Sequence, residues 1–470
     1  MNLNRFAFSP RALCLALLCA VTLLFFWSYF LLDQTLYAGD TAFVFVPFRQ
    51  FLAAHLAAGK IPLWNPFIFG GTPALAESQY QVFYPINLLL VPLGAARGMG
   101  WILALHLLFM GAGTFAFLRQ SLNLRQSAAL FGALAFAFGA CIQSRLSIPV
   151  YTDAAAWLPW MLWGTDRARR SGGLWLVVAP VALALQLCTG AAQYSYYSLA
   201  LLLAYHLFRS FGGREEQKTS GWTVLAWTLV GGAALAMAQL LPEWELARLS
   251  NRGTSASYEF AIAGSLAPRH FALSSLFPKF FSLYSATPLE GFLASTESGY
   301  LGATTLALIG AATAFPRRAP FWFWTAGALI SLSLAFGGNN PLYPLLFRFL
   351  PGTSAFRGPG NWLLITSFCG ATLAAMGLEA VLDGNQAARL RAFCTGAGLC
   401  LAALALLLSP LGATAFASPQ TPYGPWGQVG LFLLVTALLG VIWKTPRGLT
   451  SRETLWMPRC LRRGGKSAVA

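Results

Sequence analysis

Apolar runs about as long as a bilayer is thick recur from one end of this chain to the other, and they bound what it can fold into. About 20 apolar residues cross a bilayer as a helix. By that length the runs lie near 12–32, 99–118, 127–143, 152–165, 174–189, 193–209, 222–241, 299–315, 321–336, 361–382, 392–410 and 427–443. One further run, Val82–Leu93, is short and Pro-flanked, which suits a re-entrant or interfacial segment or one more span. Hydrophobic residues are 57% of the 470 and charged residues only 10%, where a soluble domain carries about 25%. A water-soluble core cannot hide that much apolar surface, so part of the solvent must be lipid. The runs are continuous, not alternating, which is the pattern of helices and not of a β-barrel. The expected fold class is all-α: a polytopic transmembrane helical bundle of about twelve spans, one integral membrane domain over 1–470.

The formal net charge of +16 would point to nucleic acid in a soluble protein. Here the positive-inside rule accounts for it, and no nucleic-acid partner is expected. With the N-terminus inside, 21 of the 31 Lys and Arg fall in cytoplasmic loops and the tail 444–470. The run 12–32 is too long for a signal-peptide core and reads as an uncleaved first span. Both termini are then cytoplasmic, in a bacterial inner membrane. Nine of the 15 acids fall outside, including Asp40, Glu77, Asp153 and Glu297. The long outer segments are 33–98, 242–298, 337–360 and 411–426. A transporter of the common kind has short loops on both sides, so this asymmetry suggests chemistry at the outer surface. The eight Cys show no CxxC or Cys/His cluster, so neither a disulfide framework nor a zinc knuckle is expected.

The first outer loop is the densest in chemistry. Tyr37–Asn87 carries Asp40, Arg49, Lys60 and Glu77 among Trp, Asn, Gln, Gly and Pro. Pro47 can open a helix and Gly59 can close it. Phe48, Phe51, Leu52, His55 and Leu56 would then share one face, as in a helix lying along a membrane. Asp40 would precede it on extended chain, and Trp64–Pro73 is turn-rich and would fold back as a cap.

Two outer acids, Asp40 and Asp153, stand at the ends of apolar runs, where a carboxylate is costly unless partnered or functional. The plain alternatives are a turn residue for Asp40 and a helix N-cap for Asp153. As a pair they suit acid/base work, with one carboxylate taking a proton from an attacking hydroxyl. The second can position the acceptor, orient a donor phosphate or hold a divalent cation. Arg145, Arg357 and Lys60 are the outer cations suited to a phosphate, or else to lipid headgroups.

The loop resembles the signature of the YfhO-like bacterial membrane proteins, of the broad GT-C class of glycosyltransferases. The matching residues are Gly39-Asp40, Gly59–Pro66, Gly70–Pro73, Glu77–Gln79 and Phe83–Pro85. Thr189–Gln193, Gly299–Gly302 and Phe356–Pro359 extend the likeness along the chain. The resemblance implies a GT-C helical bundle whose first loop carries surface helices and a catalytic base, which maps to Asp40. It implies a second acid by position at Asp153, and a polyprenyl-phosphate-linked sugar as donor at the outer leaflet. GT-C enzymes often show Asp-x-Asp or Glu-x-Asp; this loop has neither, which leaves a metal-dependent mechanism unsupported.

The expected function is therefore transfer of a sugar from a lipid-linked donor to a glycan, lipid or protein acceptor. The alternative is a transporter or flippase of a lipid-linked glycan. Trp64, Asn65, Glu77, Gln79, Tyr84, Gln193, Glu297 and Tyr300 join Lys60, Arg145 and Arg357 as candidate substrate contacts. Trp64 serves equally as an interfacial anchor, and Gln79 and Gln193 equally as backbone partners. His55, His106, His206 and His270 lack metal spacing and read as packing residues.

Overall fold

The computed structural model describes residues 9–32, 40–211, 218–250, 257–268, 271, 275, 299–350 and 352–408. The expected span at 427–443, the basic tail and all of 276–298, including Glu297, lie outside the described residues. The helices that position the site are α1 (Pro10–Phe25), α2 (Val46–Ala57), α3 (Ala95–Ala116), α4 (Gln126–Ala137), α5 (Pro149–Ala155), α6 (Leu158–Ser171) and α7 (Val178–Leu187). They continue as α8 (Ala192–Phe211), α9 (Gly221–Leu235), α10 (Met237–Leu249), α11 (Ala303–Ala312), α12 (Arg318–Ala335), α13 (Leu363–Leu382) and α14 (Gln386–Leu408). No strand forms among the described residues; Asn65 and Thr72 make an isolated antiparallel bridge.

Local signals place these ends. Ser9 caps α1 by accepting from Ala12 N at 3.2 Å, with Pro10 at the first helical position. Pro159 opens α6 and Gly172, at φ 61°, closes it. Eleven of the dozen expected runs fall on described residues and coincide in order with helices, but among the described residues fewer helices are long enough to span. Ala95–Ser121, Gln126–Gln143 and Pro359–Leu382 are long and apolar enough to cross a membrane. The pair α9–α10, bent by 76°, makes a fourth if taken as one span. The difference arises because an apolar run also counts residues that break a helix. The run at 12–32 breaks at Phe26, that at 152–165 breaks between α5 and α6, and that at 299–315 spends Gly302 on φ 95°.

The core is organised around α13, which packs against α4, α11 and α12. Small residues bring the backbones close. A Cβ on Gly377 would meet the Leu308 carbonyl oxygen, and one on Gly132 would meet Ala375 and the Ala371 carbonyl. Gly377→Leu is therefore expected to prise α13 from α11, at about 1–3 kcal/mol or more for overpacking. Loss of the monodisperse peak in detergent size exclusion would register it. The perimeter is apolar: Leu24 on α1, Val230 on α9 and Ile330 on α12 are all exposed. Such a surface needs lipid to cover it.

Long-range polar contacts sort into two ends of the bundle. At one, Arg125 pairs with Asp383 at 2.5 Å, while Arg170 and Arg209 pair with Asp166 at 3.1 and 3.2 Å. At the other, Thr41 meets Ser147, Gln81 meets Asp153, Ala140 meets Tyr300 and Gln193 meets Arg357. Positions assigned to one side by the charge count contact only that side in these pairs.

In the first loop the chain is helical earlier than expected. Asp40 has φ −60° and ψ −27°, and a π-turn over Thr41–Phe45 runs directly into α2. The face of Phe48, Phe51, Leu52, His55 and Leu56 forms as expected, but it packs on the loop itself. Phe48 stacks on Tyr80 with ring centroids 4.0 Å apart. The neighbouring Arg49 is fully buried under that contact.

Candidate active site

The site begins where the loop meets α3, α5 and the turn before α8. Arg49 Nη1 donates to the carbonyls of Gln79 at 3.0 Å and Tyr80 at 2.8 Å. Those bonds shape the turn that ends at Gln81, which takes the left-handed φ of 56°. A non-glycine residue is held there only when its surroundings over-determine it. Gln81 has such surroundings: its Nε2 donates to Asp153 Oδ2 at 2.9 Å and to Thr189 O at 2.8 Å. Asn87 Nδ2 donates to both the backbone and side-chain oxygens of Gln81.

Asp153 is 1% exposed. It lies inside α5 and does not cap it; Ile148 holds the cap position. His106 Nδ1 approaches Asp153 Oδ1 to 3.3 Å while donating to Ile102 O at 2.6 Å. On its other side His106 Nε2 accepts from the Tyr84 hydroxyl, which itself accepts from Trp157 Nε1 at 2.8 Å. With Nδ1 facing the Ile102 carbonyl, Nε2 and the Tyr84 hydroxyl share the remaining hydrogen bond of His106. Asp153 Oδ1 and Arg49 Nη2 are buried and make no hydrogen bond among the described residues. Burial lowers the Arg49 guanidinium to about 10, an effect that the charge of Asp153 opposes. Arg49 is thus still a cation at neutral pH, facing a buried carboxylate. Burial, followed by the charge of Asp153, pushes the Tyr84 phenol well above its usual range, so it serves as a neutral donor.

Asp40 differs from Asp153 in being partly exposed, and its side chain makes no capping bond. The next residue fixes its place: Thr41 Oγ1 donates to Ser147 O at 2.7 Å. That pins Asp40 beside the turn that carries Arg145 and leads into α5. Arg145 is buried, with its guanidinium 5.4 Å from the Tyr151 ring centroid. Tyr300 O accepts from Ala140 N at 3.1 Å, which brings it to the same turn. Gln193 Nε2 donates to Arg357 O at 2.7 Å, and its Oε1 accepts from Asn361 at 3.0 Å. Arg357 itself is exposed.

The motifs of the later chain turn out to be backbone pins. Gly190 has φ 74°, and a Cβ there would strike the Ser78 carbonyl. Gly358 donates to Ala263 O at 2.7 Å from φ 74°. Gly190→Ala should push the loop off α5, at about 1–2 kcal/mol for the left-handed backbone before any clash. Faster protease cleavage within 60–90, with the bundle intact, is the expected readout.

Other expected contacts lie elsewhere. Asn65 is structural: its Nδ2 donates to the Tyr80 hydroxyl at 2.6 Å and its Oδ1 accepts from Phe67 N at 2.9 Å. Trp64 covers Gly71, and Lys60 is exposed near the end of α2, away from the pins just described. Glu77 accepts from Gln79 N at 3.3 Å, and Gln79 contributes its carbonyl to Arg49. Arg49, His106 and Asn87 were not evident as site residues in the sequence. For Arg49 and His106 the available signal is an ionisable residue inside an apolar face or run; Asn87 carries no such signal.

No family model matches this chain. No curated protein matches it. Among solved structures it is similar to the mycobacterial arabinofuranosyltransferase AftD, at 17% identity and a TM-score of 0.45 over 77% of this chain. The chain spans 25% of that protein's length. At that identity and score the likeness assigns neither a family nor an activity.

No group of three His, Cys, Asp or Glu lies together among the described residues. Asp153 accepts from Gln81, His106 contacts Tyr84 and the Ile102 carbonyl, and the charge of Arg49 interacts electrostatically with Asp153.

Proposed function

We propose that this chain is a membrane glycosyltransferase of the GT-C kind, close to the YfhO-like proteins. It would move a sugar from a polyprenyl-phosphate carrier to an acceptor hydroxyl at the extracytoplasmic end. The observation that carries the reading is the contrast between the two acids. Asp40 is partly exposed and makes no capping bond, next to Thr41, which is tied to the turn after Arg145, whereas Asp153 is buried under Gln81. Asp40 is the general base that takes the acceptor proton as the hydroxyl attacks the sugar carbon. Arg145 and Arg357 steady the departing phosphate. Asp153 acts as a positioning residue: with Arg49 and Gln81 it holds the loop so that Asp40 stays on its turn. The likeness of Gly39-Asp40 and Gly59–Pro66 to the family signature supports the assignment of the base. In this reading the bundle has about twelve spans, with 33–98 and 242–298 outside and 444–470 inside.

The test is turnover in proteoliposomes supplied with a panel of synthetic polyprenyl-phosphate sugars and extracted membrane lipid as acceptor. Release of free polyprenyl phosphate, read by mass spectrometry, is expected for at least one donor. No release from any donor would overturn the reading. One observation favours a flippase instead: the buried set of Asp153, Arg49 and His106, since buried ionisable groups mark transport paths. A flippase would lose function in Asp153→Asn and keep it in Asp40→Asn, whereas the transferase loses it in Asp40→Asn.

A further inference from the structure

The segment from Ile61 to Ala76 contains no Asp, Glu, Lys or Arg, and it folds as a stiff hairpin. Asn65 and Thr72 exchange backbone hydrogen bonds at 2.8 Å each, and Gly71 N donates to Ile68 O at 2.7 Å. Asn65 ties the base to Tyr80, and the Trp64 ring lies against Gly71. The tip presents apolar rings to the outside: Phe69 is 95% exposed and Phe67 82%. Phe69 adopts φ 52°, a left-handed conformation rarely taken by a bulky side chain. Ile61, Leu63 and Trp64 are also more than half exposed along the hairpin. A soluble face would not concentrate uncharged aromatic surface in this way.

We propose that this hairpin inserts its Phe67–Phe69 tip into the bilayer leaflet on the Asp40 side, anchoring the first loop to lipid. Three observations favour lipid over a protein partner. The hairpin offers no charge for a partner to recognise. Of the two charges that bracket it, Lys60 sits exposed at the base, where lipid phosphates would lie, while Glu77 is half-buried and accepts from Gln79 N. The hairpin is also continuous with the apolar perimeter of the bundle. Gln239 Nε2 on α10 donates to Leu75 O at 3.1 Å, and Leu235 and Leu241 on either side of that contact are exposed. The result is a second fixed point for the loop, in addition to the Arg49–Gln81–Asp153 junction, independent of which reaction the protein performs.

The test replaces Phe67 or Phe69 by benzoylphenylalanine and irradiates the protein in its native membrane. Gln50, exposed on α2 and outside the hairpin, carries the same probe as control. Both substitutions keep an aromatic ring at an exposed position, and recovery from the membrane is checked beside wild type. A lipid adduct at 67 and 69 in at least tenfold excess over position 50 is the expected result. A covalent dimer, an adduct to another protein, or lipid labelling no greater than at position 50 would overturn the proposal. The readout does not depend on activity, so it can fail while the transferase reading stands, and the reverse.

Discussion

Asp40→Asn is expected to leave expression, insertion and thermal stability unchanged and to slow sugar transfer by about 10²–10⁴-fold, the usual contribution of a general base. The substitution keeps size and most hydrogen-bonding capacity. It removes only the charge and the ability to take a proton. Asp40 makes no capping bond to the turn that follows it, so little structural cost accompanies the change. The pinning bond belongs to its neighbour Thr41, which is untouched. The comparison is initial rates of polyprenyl phosphate release from proteoliposomes holding equal folded protein. A rate within a few-fold of wild type would remove Asp40 from the chemistry.

Arg49→Gln is expected to destabilise the protein by about 1–3 kcal/mol, because it leaves the buried carbonyls of Gln79 and Tyr80 without their donor and removes a positive charge that acts on Asp153. Asp153 is 1% exposed and Arg49 2%, so water cannot take the missing partner's place. The same change removes the donor that shapes the Gln79–Gln81 turn. Asp153→Asn should cost less, since Arg49 keeps two carbonyl acceptors. In the double variant neither charge is left buried, so its loss should fall short of the two single losses combined by about 0.5–3 kcal/mol. Midpoints from heat-step size exclusion across the four proteins give the coupling. Additive losses would mean that the two charges do not hold each other.

Much of the helical order was legible because hydropathy is a local property. The run at 361–382 became α13 at Leu363–Leu382, and that at 193–209 became α8 at Ala192–Phe211. Hydropathy does not see where a helix stops within an apolar run, so the breaks at Phe26 and Trp157 were missed, although Pro159 marked the second. In the site, Asp40 and Asp153 are legible from their places at run ends, Arg145 and Arg357 as outer cations and Gln193 as a polar residue of a short motif, and the contacts of Thr41 with Ser147 and of Gln193 with Arg357 bring their segments together. The depth of Asp153 was not legible. It depends on Gln81, 72 residues away, and on His106, which faces inward from the middle of an apolar helix. Arg49 looked like one more loop cation because nothing local distinguishes a guanidinium in water from one folded under Tyr80.

Sugar transfer as proposed requires a lipid-linked phosphate to bind at the end of the bundle that holds Asp40. A cryo-EM reconstruction in nanodiscs containing a polyprenyl phosphate tests this. Phosphate density is expected beside Arg145 and Arg357, within reach of the Asp40 turn and with the isoprenoid chain running along the bundle. Phosphate seated instead at the opposite end, among Arg125, Arg170 and Arg209, would contradict it.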